Sequence, residues 1–209
     1  MSDVLERAIE EVEHDDRILR FGKADRIEHA VQVVSFAGLG LTGLIQKFFE
    51  SAISQWWIAF LGGLPQVRNI HRWLATILML AVIWHFGKAG YRTYVEKRPK
   101  AMVPSKRDWI AIKESIALLA GRRHEPVKQG RFTFAEKVEY WSFVWGTVLM
   151  IATGYMLWNP ISTAKFLPGD FIPAAKAAHG GEAILAVLAI LVWHIYHVHI
   201  KHFNKSIFT

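Results

Sequence analysis

Four stretches of this chain contain no Asp, Glu, Lys or Arg: Ala30–Gln46, Trp73–Gly87, Tyr140–Ala164 and Ala183–Ile200. Nothing else in the sequence constrains the fold as strongly. A bilayer core takes roughly 20 apolar residues per helix, with about 17–25 tolerated. The chain is 52% hydrophobic and still 21% charged, so its charges are confined to the segments between the runs. In 209 residues, four such runs leave too little chain for a separate soluble domain of ordinary size. The sequence therefore reads as an all-α membrane protein, a four-transmembrane-helix bundle with short interfacial helices. It forms a single membrane domain, 1–209, with spans at about 27–47, 69–91, 138–160 and 178–200.

Charge distribution sets the expected orientation. The net charge is +7, and the segment Lys88–Arg131 alone holds twelve Lys or Arg against four acids. A basic loop between two spans is the positive-inside signal, so 92–131 is expected to be a basic cytoplasmic loop and no nucleic-acid role is inferred. Both termini then lie in the cytoplasm, with the loops 47–69 and 159–178 outside. The first 20 residues are polar and acidic rather than a cleavable signal peptide. Within 1–20, Val4, Leu5, Ala8, Ile9 and Val12 mark an amphipathic segment, either a solvated helix or a docking surface for a partner subunit. Trp56, Trp57 and Phe60 suit a short helix at the outer interface, where aromatic rings concentrate. SKRDWIAIKESIALLAG reads as an inner interfacial helix, opened by a Ser105…Asp108 capping box and closed at Gly121, with Trp109, Ile112, Ile116 and Leu119 on one face.

The two halves of the chain repeat each other weakly. FGKADRIEHAVQVVSFAGLGLTG from Phe21 aligns without gaps on FTFAEKVEYWSFVWGTVLMIATG from Phe132. Ala24, Glu28, Thr42 and Gly43 meet Ala135, Glu139, Thr153 and Gly154, while His29 meets Tyr140. A second span follows in each half, NIHRWLATILMLAVIWH and AAHGGEAILAVLAILVWH, beginning near a histidine and ending in Trp-His. The pattern suggests a duplicated helix pair.

Seven of the ten histidines, His29, His71, His85, His179, His194, His197 and His199, lie in or at the ends of spans. A lone membrane histidine is more often helix–helix glue or an interfacial side chain than a ligand. Spacing changes that judgement here. His71 and His85 are 14 residues apart, and His179 and His194 are 15 apart. Those intervals span about 21–22 Å and return the side chain to within about 40–60° of its starting face. Two helices thus present imidazoles at two depths on broadly one face, as two stacked bis-imidazole haems require. Helix direction pairs His71 with His179 at the outer side. At the inner side His29, His85, His194 and His197 compete for two positions, and HVHIKH carries His199 and His202 to the surface. With no cysteine in the chain, thiolate metal sites, iron–sulfur clusters and covalent C-x-x-C-H haem attachment are excluded.

DRIEHAVQVVSFAGLGLTG, NIHRWLA, AEKVEYWSFVWGTVLMIATGYMLWNP, FLP and WHIY resemble the diheme cytochrome b subunit of respiratory formate dehydrogenase, over nearly all of 21–208. The same prokaryotic four-helix superfamily includes the cytochrome b subunits of nickel–iron hydrogenase and thiosulfate reductase. The resemblance implies His29 and His194 as ligands of an inner haem and His71 and His179 as ligands of an outer one. The fourth-helix interval of 15 exceeds the family's usual 14, so a local bulge or altered tilt is expected. His85 has no ligand counterpart in that subunit. HRWLATILMLAVIWH also looks like the second helix of quinol:cytochrome c reductase cytochrome b, where both histidines bind haem. The inner pair is therefore His29–His194 or His85–His194; a third haem on His85 with His197 or His29 is the remaining arrangement, and a bond from His85 to helix 1 or a propionate its ligand-free role.

The family exchanges electrons with quinone beside the inner haem, at a polar turn before the third helix. Here that turn is Arg131–Lys137, with Thr133, Ala135 and Glu136 in place of the family's Asn, Gly and Gln; Glu136 is a candidate proton carrier. Glu182, one turn from His179, is expected to pair with Arg72 or a ligand imidazole. Arg20, Arg26, Arg72 and Lys137 sit where haem propionates or lipid phosphates would lie. The resemblance implies a b-type electron-transfer subunit in a prokaryotic inner membrane, holding two haems, working with menaquinone or ubiquinone and with an iron–sulfur or multihaem cytochrome subunit. No substrate-converting constellation is present. The competing readings are a stand-alone quinol-oxidising module feeding a periplasmic multihaem cytochrome, and a haem-free membrane anchor for partner subunits.

Overall fold

The computed structural model describes residues 22–97, 102–122 and 132–201, with side chains through Tyr196. The amphipathic segment 1–20, Arg20, Arg131 and His202 lie outside the described residues, as do the side chains of His197 and His199. Among the described residues seven α-helices follow in order: α1 Lys23–Lys47, α2 Ala52–Phe60, α3 Leu64–Tyr94, α4 Lys106–Leu119, α5 Phe134–Trp158, α6 Pro160–Phe166 and α7 Phe171–Ala189. Beyond Ala189 the last helix continues in π-helical form through Ile190–Lys201. Among the described residues four helices are long and apolar enough to cross a bilayer: α1, α3, α5, and α7 with its continuation as far as Tyr196.

Each helix begins where a local signal permits it. Gly62 and Gly63 have φ of 89° and 101°, left-handed values that glycine adopts without penalty. They turn the chain sharply from the interfacial helix α2 into α3, and Pro65 in the first turn starts α3 where its missing N–H is no loss. Ser51 caps α2 by accepting from Ser54 N–H at 3.2 Å. The α4 cap forms between Ser105 and Asp108, with Ser105 N–H donating to Asp108 Oδ2 at 2.6 Å. Thr133 and Glu136 cap α5 reciprocally: Thr133 N–H donates to Glu136 Oε2 at 2.8 Å and Glu136 N–H to Thr133 Oγ1 at 3.2 Å.

Packing pairs α1 with α3 and α5 with α7, the two halves of the sequence repeat, and then joins the pairs through α1 and α7. The buried positions of α1 are Glu28, Ser35, Thr42 and Ile45. The first three are polar and recur every seventh residue along one face. That arrangement is inside-out by the standards of a soluble helix, and it follows from the solvent. Lipid accepts the large apolar groups, so Trp73, Trp84 and Trp145 stay exposed, while groups able to hydrogen-bond turn inward.

One end of the bundle, where α3 leads toward the basic segment, is tied by ion pairs. Lys88 on α3 pairs with Asp25 at 2.9 Å and with the buried Glu28, both on α1, and Arg92 reaches Asp25 at 3.3 Å. On the same side Lys137 of α5 pairs with Asp108 at 2.9 Å, and Trp141 Nε1 donates to the Met102 carbonyl at 3.0 Å, docking α4 against α5. This is called the loop end below, and the other the opposite end.

Candidate functional site

The bundle gathers its imidazoles in two places. At the opposite end, His71 of α3 and His179 of α7 come together with ring centres 6.3 Å apart and ring planes inclined by 69°. At the loop end, His29 of α1 and His194 of the π-helical segment come together with ring centres 6.4 Å apart and ring planes inclined by 34°. An imidazole nitrogen binds a metal at about 2.0–2.1 Å, so two imidazoles on opposite sides of one metal have ring centres about 6 Å apart. Both pairs have that separation.

The hydrogen bonds fix which nitrogen is basic. Thr42 Oγ1 donates its hydrogen to the Gly38 carbonyl at 2.7 Å and lies 2.8 Å from His71 Nδ1. With its own hydrogen committed, the hydroxyl accepts from Nδ1–H, and Nε2 carries the lone pair. Thr153 repeats the arrangement, donating to the Leu149 carbonyl at 2.7 Å and standing 2.9 Å from His179 Nδ1. At the loop end Glu139 accepts from His194 Nδ1 at 2.6 Å, again making Nε2 the basic nitrogen. A ligating histidine is held in this way by its other ring nitrogen.

Glycines clear space beside the opposite-end pair. A Cβ on Gly43 would stand 3.4 Å from His71 Cε1, and one on Gly154 would stand 3.2 Å from His179 Cε1. These residues, like Thr42 and Thr153, are aligned in the sequence repeat. Lys47 crosses toward α7 here, its Nζ 2.9 Å from where a Cβ on Gly180 would stand, and Arg72 lies 5.2 Å above the Trp158 ring. One turn before His29, Arg26 has a buried Nε with no hydrogen-bond partner among the described residues, a donor suited to an anionic group.

His85 takes a different place. Its Nδ1–H donates to the buried Glu28, and its Nε2 lies 3.1 Å from the Tyr140 hydroxyl. The loop end therefore brings His29 to His194 and directs His85 to α1 and α5. The π-helical form of 190–201 provides the bulge that the 15-residue interval demands. A wider helix turns each residue through less than the usual angle of about 100°, which returns His194 toward the face of His179. Thr133 and Glu136 are engaged in the α5 cap described above, one turn before Glu139. The expected partner of Glu182 changes: among the described residues no ion pair or hydrogen bond joins it to Arg72 or to His179, and its carboxylate packs instead where a Cβ on Gly146 would lie, 2.5 Å from Oε1. Gly146 supplies the gap that admits it.

The donor set fits a tetrapyrrole. Each end brings together two imidazoles, and among the described residues no group of three or more His, Cys, Asp or Glu that could hold a metal ion is formed. A metal held by such a pair would need further ligands from outside the chain, which a haem macrocycle would supply.

Comparison with known proteins agrees with this chemistry. A family model described as prokaryotic cytochrome b561 matches residues 20–209. The formate dehydrogenase cytochrome b556 subunit of Haemophilus influenzae is 27% identical over 150 residues, 71% of this chain and 58% of that subunit, so the chain spans little more than half of that relative. The cytochrome b556(Fdn) subunit of the nitrate-inducible formate dehydrogenase of Escherichia coli is 23% identical over 169 residues, 80% of this chain and 71% of the relative. The E. coli cytochrome b556(fdo) subunit is 23% identical over 164 residues, covering 78% and 69%.

Proposed function

The chain belongs to the prokaryotic cytochrome b561 family, and from that premise we propose that it holds two b-type haems, one at each end of the bundle, and links a redox partner at one membrane face to quinone at the other. That it is a membrane cytochrome b subunit for electron transfer follows from the family and its four apolar helices. The finer reading rests on one observation, the two imidazole pairs with ring centres 6.3 and 6.4 Å apart at opposite ends.

In this reading His71 and His179 hold one haem and His29 and His194 the other. Bound haem supplies one-electron exchange between ferric and ferrous iron. The chain's own groups do the rest. Thr42, Thr153 and Glu139 fix the ligand tautomers, and Gly43 and Gly154 leave room beside the rings. Arg26 at the loop end, with Lys47 and Arg72 at the opposite end, supplies positive charge for propionates. Basic residues of 92–131 support a cytoplasmic loop end by the positive-inside rule.

The relatives are cytochrome subunits of formate dehydrogenases, which supports a catalytic complex whose iron–sulfur or multihaem subunit docks on the outer face. Menaquinone or ubiquinone would then exchange electrons at the inner haem, beside the Thr133–Glu136 turn one helical turn from Glu139. Dithionite-reduced spectra and pyridine hemochrome stoichiometry test the reading. Two haems per chain are expected, falling to one when either His71 or His179 is replaced. A purified, folded chain without paired α and Soret bands would be a haem-free anchor.

A further inference from the structure

The sequence repeat relates α1 to α5 and α3 to α7, each half packing as a pair, and at the loop end the two halves have diverged. Taken as a two-fold operation, the repeat exchanges α1 with α5 and α3 with α7. Thr42–His71 maps onto Thr153–His179 with distances of 2.8 and 2.9 Å, so the opposite-end histidines are each other's counterparts. At the loop end the same operation maps Glu139–His194 onto Glu28–His85, both joined through Nδ1. It also maps the facing pair His29–His194 onto Tyr140–His85, with ring centres 6.4 and 5.9 Å apart. His29, His194 and Glu139 of the α1–α7 site thus have counterparts in Tyr140, His85 and Glu28, with one change of chemistry: a phenol stands where an imidazole would.

We propose that His85 and position 140 form the two-fold twin of the His29–His194 haem-ligand pair, and that the Tyr140 hydroxyl closes this twin to haem in the native chain. The inference rests on the two-haem reading. His85 Nδ1–H is directed at Glu28, which leaves Nε2 as an acceptor, and Tyr140 O–H, 3.1 Å away, donates to it. The lone pair that would bind iron is thus occupied by a phenol proton. Phenolate serves as a haem ligand in some proteins, but a phenol that donates its proton to His85 offers iron no anion. Tyr140 is in this view the specificity-determining residue that sends the loop-end haem to the α1–α7 side.

Exchange of the two side chains tests this. His29→Tyr should leave one haem per chain, and His29→Tyr with Tyr140→His should restore two, measured by pyridine hemochrome against protein mass. The regained haem should show the low-spin bis-imidazole signature in electron paramagnetic resonance and should vanish when His85→Ala is added. A double variant that keeps its opposite-end α band but stays at one haem overturns the proposal. So does a regained haem that survives His85→Ala. Tyr140→His with His194→Ala is an independent form of the test, with the original pair broken and the twin complete: two haems are expected, and one overturns the proposal. A wild-type chain without two haems, or a His29→Tyr variant that keeps both, would instead overturn the ligand reading on which the proposal stands.

Discussion

Thr153 Oγ1 stands 2.9 Å from His179 Nδ1 while its own hydrogen goes to the Leu149 carbonyl at 2.7 Å. The hydroxyl therefore acts on the imidazole purely as an acceptor, holding the Nδ1–H tautomer and presenting Nε2. Thr153→Val keeps the shape and removes that acceptor, stranding a half-buried N–H. Partners of this kind are worth about 10–100-fold in metal affinity. Haem titration of the apoprotein should show the opposite-end haem weakened by about that factor, with the loop-end haem as internal control. Equal weakening of both would show that the hydroxyl serves helix packing in general.

Gly154 is the tighter of two equivalent clearances. Its absent Cβ would lie 3.2 Å from His179 Cε1, against 3.4 Å for Gly43 and His71. A methyl can be absorbed by a shift of a few tenths of an ångström, whereas a branched side chain fills the space beside the ring. Gly154→Ala should retain both haems with a perturbed opposite-end α band. Gly154→Val should lose the opposite-end haem, with Gly43→Val milder. Full retention in Gly154→Val, read from the reduced spectrum, would mean that the space beside this ring is not needed.

Glu28 is only 8% exposed and depends on Lys88, which also binds Asp25 at 2.9 Å. Removing one partner of a buried pair leaves an uncompensated charge and costs about 3–5 kcal/mol, whereas removing both costs much less. Lys88→Met should therefore lower the thermal midpoint in detergent sharply, and adding Glu28→Gln should restore most of the loss. A double variant no better than the single would place the effect in Lys88 packing.

The spans and the approach of His71 to His179 at the opposite end were legible because they depend on charge segregation and helix direction. Charge segregation marks a helix that must sit in lipid, and helix direction leaves His71 and His179 as the outer candidates. The loop end was not resolved in this way. His29, His85, His194 and His197 share one depth, and depth says nothing about rotation around the bundle axis. Rotation is set by packing α1 against both α3 and α7, which turns Glu28 toward His85 and His29 toward His194. The repeat held a usable signal: Glu28, Glu139, Thr42 and Thr153 are polar residues kept at matching positions inside apolar spans, which lipid exposure would not favour. Their use as imidazole partners needed the cross-helix contacts to become visible. The fate of Glu182 was out of reach, since its neighbour across the interface is a glycine and a missing side chain leaves no pattern to read. The His179–His194 interval called for a bulge or an altered tilt, and the choice between them, with its extent over 190–201, depended on the backbone.

Asp108 lies outside the spans, on the helix that docks against α5, and its carboxyl is held below the usual carboxylate range. The Lys137 ammonium is the largest cause, bonded at 2.9 Å, followed by burial acting the other way and then by bonds from the Ser105 backbone N–H and hydroxyl. A depressed carboxylate stabilises the docked form fully above its unfolded pKa and loses that contribution as pH falls through the lower, folded value. Attachment of α4 should therefore be insensitive to pH from neutrality down to the ordinary carboxylate range, and weaken only below it. Hydrogen exchange of Lys106–Leu119 in detergent or nanodiscs measures this: protection should hold through mild acid and decline only in strong acid. Asp108→Asn should show reduced protection already at neutral pH and no further decline through the range where Asp108 would titrate. Loss of protection in mild acid, or an Asp108→Asn helix as protected as the native one, would mean that Trp141 and the apolar face of α4 hold it without the ion pair.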